Sequence, residues 1–174
     1  MIQSFAGKTP VIAATAFVHP FALIVGDVTI GEHASIWPFA SIRGERESIT
    51  IGAYTNVQDN CSLHADPGEP MVIGDHVTIG HGVTMHGLSI GAHTLIGMGV
   101  TIVQGVKVGS WCLVGAGAVI ASPIEVPDRS LVLGMPAKIA GQVKEKHIAR
   151  LERAGVSYVK MGERYLSGEA ETIE

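Results

Sequence analysis

The chain has 174 residues, 47% of them hydrophobic but only 5% aromatic, with 22 glycines and a formal net charge of −4. That length suits one domain with its own core, and the mildly acidic balance excludes a general nucleic-acid binder. Charged residues reach only 16% against about a quarter in an average soluble domain, so other subunits are expected to cover part of the surface.

The N-terminus, MIQSFAGKTP, lacks a basic segment followed by an apolar run, so no signal peptide is expected. No apolar run approaches the roughly 18 residues of a membrane span. A cytoplasmic protein without a membrane partner is the expectation. With so few rings, the core must be filled by small and β-branched side chains, which implies a narrow, regularly layered interior.

From Ile12 onward an aliphatic residue recurs every six positions, at Val18, Ile24, Ile30, Ile36 and Ile42. The pattern pauses over an insertion, Arg43 to Thr50, and resumes at Ile51, Val57 and Leu63. A second insertion, Ala65 to Val72, precedes Ile73, Ile79 and Met85. One step of five residues leads to Ile90, and steps of six then continue to Val132. The fifth position of each hexad is small or branched, as at Ala22, Val28, Val77, Val83 and Cys112, and the second is often glycine. Two inward residues four apart, followed by turn chemistry, fit short strands joined by tight corners and not a helix. Short strands stacked on their sequence successors make an all-β solenoid, a parallel β-helix. Cys61 and Cys112 fall at inward positions and read as core residues, not a disulfide.

LGMPAK, with Gly134 and Pro136, ends the repeat. Between Gln142 and Leu166, His147, Leu151, Ala154, Tyr158, Met161 and Tyr165 alternate spacings of four and three, an amphipathic helix stripe. This helix is expected to lie on the solenoid or on a neighbouring subunit. The tail, Ser167 to Glu174, is polar, acidic and expected to fray.

Of eight histidines, His19, His33, His76, His93 and His147 have no obvious partners and read as surface or corner residues. His64, His81 and His86 differ because of their register. With three hexads per coil, the walls can be labelled A, B and C, led by Leu63 and Met85 (A), Ile73 (B), and Val57 and Ile79 (C). His64 and His86 each follow a wall-A leader and stack one coil apart, about 4.8 Å, close enough for both imidazoles to reach one ion. Arg43 extends that column. Asp59 and His81 stack at the end of wall C, with Gln58 beside them. A three-fold trimer would set one subunit's wall-C column against the next subunit's wall-A column. His81 would then complete a three-histidine metal site, and Arg43 would meet Asp59 across the interface. Three neutral imidazoles with an open fourth position are a catalytic arrangement. Zn2+ is the first expectation, with Fe2+ or Co2+ as other ions that imidazole suits.

At these residues the sequence resembles the γ-class carbonic anhydrases, especially their short-loop bacterial relatives. The resemblance spans nearly the whole chain through the hexads, SIRGE, NVQDNCSLH, IGHGVTMHG, LGMPAK and the terminal helix. It implies a left-handed parallel β-helix over 1–137, with a C-terminal α-helix and tail, 138–174, packed on the same domain. It implies a homotrimer whose metal is held by His64 and His86 of one chain and His81 of the next. It assigns Arg43 and Asp59 as the intersubunit pair and Gln58 as the residue holding a metal-bound hydroxide. Tyr158 resembles a tyrosine that reaches the site in some members. The implied activity is the interconversion of CO2 and bicarbonate through that hydroxide.

The chain departs from the pattern twice. Glu45 stands where the family usually has Asp, and the loop after His64 is short, its Asp66 and Glu69 reading as solvated acids. Two alternatives stand beside the leading function. One is a metal-binding trimer of the same family with little or no activity, and the other is a hexapeptide acyltransferase using a His general base.

Overall fold

A computed structural model describes residues 1–170; part of the tail expectation, 171–174, lies outside the described residues. The hexads form a left-handed parallel β-helix whose two-residue strands pair in parallel, one coil apart. Leu63 pairs with Met85 on wall A, Ile51 with Ile73 on wall B, and Val57 with Ile79 on wall C. The wall assignment read from the hexads therefore holds.

The interior is one continuous cluster of aliphatic side chains with Cys61 and Cys112, and it contains no aromatic ring. Both cysteines are free. Burial pushes the Cys61 thiol up to about 11, as expected of an inert core thiol. Glycine at the second hexad position follows from the close stacking of coils. A Cβ on Gly97 would lie 2.5 Å from the Ala116 nitrogen, and one on Gly80 would lie 2.8 Å from the Met98 nitrogen.

The first insertion is not a loop. Ser41–Ile51 is one strand that runs through the corner between walls A and B, paired with the equally continuous Leu23–Ile30. The solenoid ends differently from the expectation as well. Gly134 ends strand Ser130–Gly134, and Met135 and Pro136 turn the chain into an antiparallel partner strand, Ala137–Gln142, before the helix begins. The hexad rule cannot foresee an antiparallel return because it describes only the parallel coils.

The nine aromatic side chains lie outside this interior. At the corner before wall C, His33, Tyr54, His76, His93 and Trp111 stack as a ladder. Ring centroids are 4.9, 4.9, 4.8 and 4.2 Å apart in order, with planes within 14° of parallel. All five carry φ between 54° and 58°, so the left-handed corner aims each ring along the same direction. The partners of His33, His76 and His93 are therefore ring neighbours on adjacent coils, at long sequence separations. The other two unassigned histidines also have partners. His19 packs edge-on against Phe17 and Tyr165, and His147 Nδ1 accepts the Lys144 backbone N–H at the helix start.

Helix α1, Glu145–Leu166, lies over wall C of its own solenoid. Leu151 packs with Leu95 and Val143, and Gly162 permits close approach to Phe17, whose Cβ would be 3.2 Å from an added methyl. Trp37 and Phe17 fill the space beneath Tyr158 and Tyr165. Among the described residues no helix is long and apolar enough to cross a membrane.

Candidate metal centre

His64 ends strand Ser62–His64, and His86 directly follows Thr84–Met85, so the parallel register sets one imidazole above the other. Their centroids are 5.2 Å apart and their planes cross at 75°. That tilt matters because two parallel stacked rings cannot both point a nitrogen lone pair at one ion. The ladder histidines His76 and His93, with planes 6° apart, are excluded from shared coordination on this ground.

The third group beside this pair is Asp66. Its Oδ2 lies 2.9 Å from His86 Nδ1, and its Oδ1 is 4.0 Å from His64 Nδ1. Donor atoms of His64, Asp66 and His86 all fall within 4.8 Å of one another. Asp66 is thus not a solvated loop acid: its side chain is only 21% exposed. The short loop turns tightly through a bridge between Asp66 and Glu69 and folds Asp66 back over the histidines. The hydrogen bond from His86 holds the Asp66 carboxyl below its usual range. An ionised carboxylate only accepts, so Nδ1 of His86 carries the proton and Nε2 is left as a lone pair. Burial, with Arg43 and His86 nearby, pushes His64 below its usual value, so its ring is neutral at neutral pH and can act as a ligand.

Arg43 pairs with His64 in the strand register, as the column reading requires. Within one chain its Nη1 donates to Glu45 Oε2 at 2.5 Å, and the same oxygen lies 4.0 Å from His64 Nε2. The departure at Glu45 therefore puts its carboxylate between the arginine and the first histidine.

His81 stands apart from this pair, at the corner after wall C, with its side chain 45% exposed. Its Nδ1 lies 2.9 Å from Asp59 Oδ2, and its Nε2 is 3.4 Å from the Tyr158 hydroxyl. A carboxylate partner again puts the proton on Nδ1 and leaves Nε2 as the lone pair. Burial pushes the Tyr158 phenol up, so it stays protonated.

Gln58 is buried, and its place is set by a network the sequence reading missed. Its Oε1 accepts the His81 backbone N–H at 3.2 Å, and its Nε2 donates to Asn56 Oδ1 at 3.0 Å. Asn56 Nδ2 in turn donates to Thr78 Oγ1 at 2.9 Å. These bonds fix the amide's orientation and leave one Nε2 hydrogen uncommitted. Asn56 lies two residues before Gln58, on the same side of the strand; that spacing was the available signal.

One chain thus brings together His64, His86, Asp66, Glu45 and Arg43, and separately His81, Asp59, Gln58 and Tyr158. The fold defines a hexapeptide-repeat protein, and the profile for bacterial transferase hexapeptide (six repeats) matches residues 9–44 and 87–122. A probable carbonic anhydrase of Methanocaldococcus jannaschii is 49% identical over 142 residues, 82% of this chain and 89% of that protein. A carbonic anhydrase of Geobacillus kaustophilus is 44% identical over 165 residues, 95% of this chain and 91% of that protein. A mitochondrial gamma carbonic anhydrase of Arabidopsis thaliana is 33% identical, and the match covers 95% of this chain and 62% of that one. A solved Bacillus cereus structure described as a putative acetyltransferase superposes with a TM-score of 0.93 at 37% identity, covering 95% of this chain and 96% of that one. This chain belongs to the γ-class carbonic anhydrase family of hexapeptide-repeat proteins, a class of carbonate dehydratases.

Proposed function

We propose that the protein interconverts CO2 and bicarbonate at metal sites shared between the subunits of a homotrimer. The observation that carries this reading is the division of the histidines. His64 and His86 converge on one wall with tilted rings. His81 presents a lone pair on another corner, oriented by Asp59. A second copy supplies the missing third imidazole, as symmetric packing of one wall against another would.

The donor set fits a divalent ion that imidazole prefers, with Zn2+ first and Fe2+ or Co2+ next. Such an ion, when bound, lowers the pKa of coordinated water to about 7 and so makes hydroxide available at neutral pH. The chain's own residues orient and enclose. Asp66 and Asp59 hold the His86 and His81 tautomers, and Gln58, buried and held by Asn56 and the His81 backbone N–H, keeps one amide hydrogen free to donate. Arg43 and Glu45 border the His64 side with paired charge. Tyr158 brings a protonated hydroxyl from the helix to the His81 edge. The buried, free cysteines accord with a reducing, cytoplasmic location.

The acetyltransferase description of the B. cereus structure raises the acyltransferase reading, but that chemistry needs one histidine base and not three histidines in register. A mixing experiment separates the readings. His64→Ala and His81→Ala proteins should each lose zinc and CO2 hydration. Refolded together, they should regain activity at about one quarter of interfaces, the fraction that random mixing leaves with both histidines. No recovery in mixed trimers, or full activity in either single variant, would defeat the shared-site reading.

A further inference from the structure

The aromatic ladder borders a cleft on the side of α1 that faces away from His81. Each subunit of the proposed trimer makes its contacts through the corner after wall C and the end of wall A, so wall A lies between those contacts and faces the three-fold axis. The corner between walls B and C, where the ladder stands, is the vertex opposite wall A and points outward. The cleft is therefore open in one chain and in the trimer alike. It measures about 630 Å3, within the range of about 300–1,000 Å3 typical of sites for small organic ligands.

Tyr54, His76 and His93 form its solenoid side. Each is an inner rung of the ladder, with another ring stacked above and below it. Their faces are taken up by one another, so the cleft meets their edges. Ring edges carry partial positive charge and ring faces partial negative charge, and the two attract. A row of edges thus fits the face of another aromatic ring. The rungs are spaced 4.9 and 4.8 Å apart, a strip longer than one six-membered ring is wide, which favours a fused ring system. The helix side is apolar at Leu151 and Val159, and between them Gly155 is buried yet meets no atom within 4 Å of an added Cβ. Glycine is a poor helix residue. Gly162 has a packing reason in Phe17, 3.2 Å from its added Cβ; Gly155 has none, and its bare backbone keeps the space opposite the rungs open. Glu152, Glu163 and Lys160 border the opening, two carboxylates to one ammonium, and the charge of Glu152 reaches His93.

We propose that this cleft binds a protonated amine carried on a fused aromatic ring. The flat ring lies between the Gly155 backbone and the edges of Tyr54, His76 and His93, and the ammonium turns toward Glu152 at the rim. The quadrupole of the ladder selects an aromatic face, and the net negative rim selects a cation over an anion. All of these residues come from one chain and lie away from the metal centre, so the binding stands apart from the reaction proposed above.

The experiment is ligand-observed NMR and calorimetry with tryptamine on the full-length protein, with and without zinc, alongside indole-3-propionate and hexylamine. Tryptamine should bind once per chain with or without zinc. Indole-3-propionate, which shares the ring and carries the opposite charge, should bind more weakly, and hexylamine, which shares the charge and has no ring, should not bind measurably. Glu152→Gln should weaken tryptamine about two- to five-fold, the range of a solvent-exposed ion pair. Gly155→Leu places its side chain in the open space and improves helix propensity, so the protein should melt no lower while tryptamine binding is lost. Unchanged tryptamine binding in folded Gly155→Leu would overturn the proposal. So would hexylamine binding as well as tryptamine, binding that appears only with zinc, or no binding to the wild-type protein. CO2 hydration is assayed separately, so its absence would count against the proposed function and leave the binding result standing.

Discussion

Replacing Asp66 with Ala tests whether the short loop has a task at the metal centre. The Asp66 carboxylate accepts the His86 Nδ1–H at 2.9 Å, with side-chain exposures of 21% and 38%. Loss of such an outer partner typically weakens metal binding about 10- to 100-fold, because the ring loses both its fixed tautomer and some basicity. At about 1.4 kcal/mol per decade, that is roughly 1.4 to 2.8 kcal/mol. The exposure of His86 lets water replace part of the bond, so the expected loss is near the lower end, about ten-fold. Asp66→Asn keeps an acceptor oxygen and loses only the charge, so it should fall between wild type and Asp66→Ala. The assay is competition for Zn2+ against a chromophoric chelator at fixed pH, with thermal melts of the metal-free proteins as a control for folding. Asp66→Ala binding zinc within two-fold of wild type would refute the orienting role. Equal, severe losses in both variants would instead mean direct coordination by the carboxylate.

Gly97→Ala should destabilise the protein by about 1–3 kcal/mol, the usual range for overpacking, because its Cβ would meet the Ala116 nitrogen at 2.5 Å. Urea denaturation reads this directly, and an unchanged midpoint would deny the close coil contact. The ladder makes stability pH-dependent. Burial, then His76, pushes His93 below its ordinary 6.5 against the weaker pull of Glu152 and Asp75. The fold therefore holds the neutral ring. Its contribution is complete above about pH 6.5 and is lost as pH falls through the lower folded value. The urea midpoint should drop between pH 7.5 and 5, and His93→Gln should flatten that slope; equal slopes would show that another group titrates. Tyr158→Phe should leave zinc per chain unchanged and slow CO2 hydration about two- to ten-fold, the worth of one hydrogen bond. A change in zinc content would mean that the hydroxyl acts on the ligand set itself.

The six-residue period is a local property, so the parallel coils, their walls and the stacking of Arg43 with His64 could be read from the chain. The aliphatic leaders alternate with small fifth positions, and in a stacked solenoid that choice alone decides which side chains face inward. The division of the histidines followed from the same count, since wall and coil are arithmetic once the period is known. The terminal helix was visible through its stripe of four and three, although Ala137–Gln142 was not recognised as a strand. Its antiparallel pairing with Ser130–Gly134 is made by hydrogen bonds to a partner, and no side-chain period announces it.

Other features needed the tertiary structure because they depend on directions and not on spacing. His64 with His86, and His76 with His93, both stack one coil apart; only the ring planes, 75° and 6° apart, tell a converging pair from a ladder. The ladder rings stand at corner residues with φ near 55°, and that backbone choice aligns them in parallel. Asp66 belongs to the histidines because a tight turn folds it back, which composition alone reads as solvated loop. Gln58 is locked by Asn56 and the His81 backbone N–H through contacts between coils. The cleft between the ladder and Gly155 exists only because the helix returns over wall C. Periodicity thus set the coordinates of the coils, while corner geometry, loop closure and helix docking decided which polar groups meet, because those orientations are settled by contacts between residues far apart in the chain.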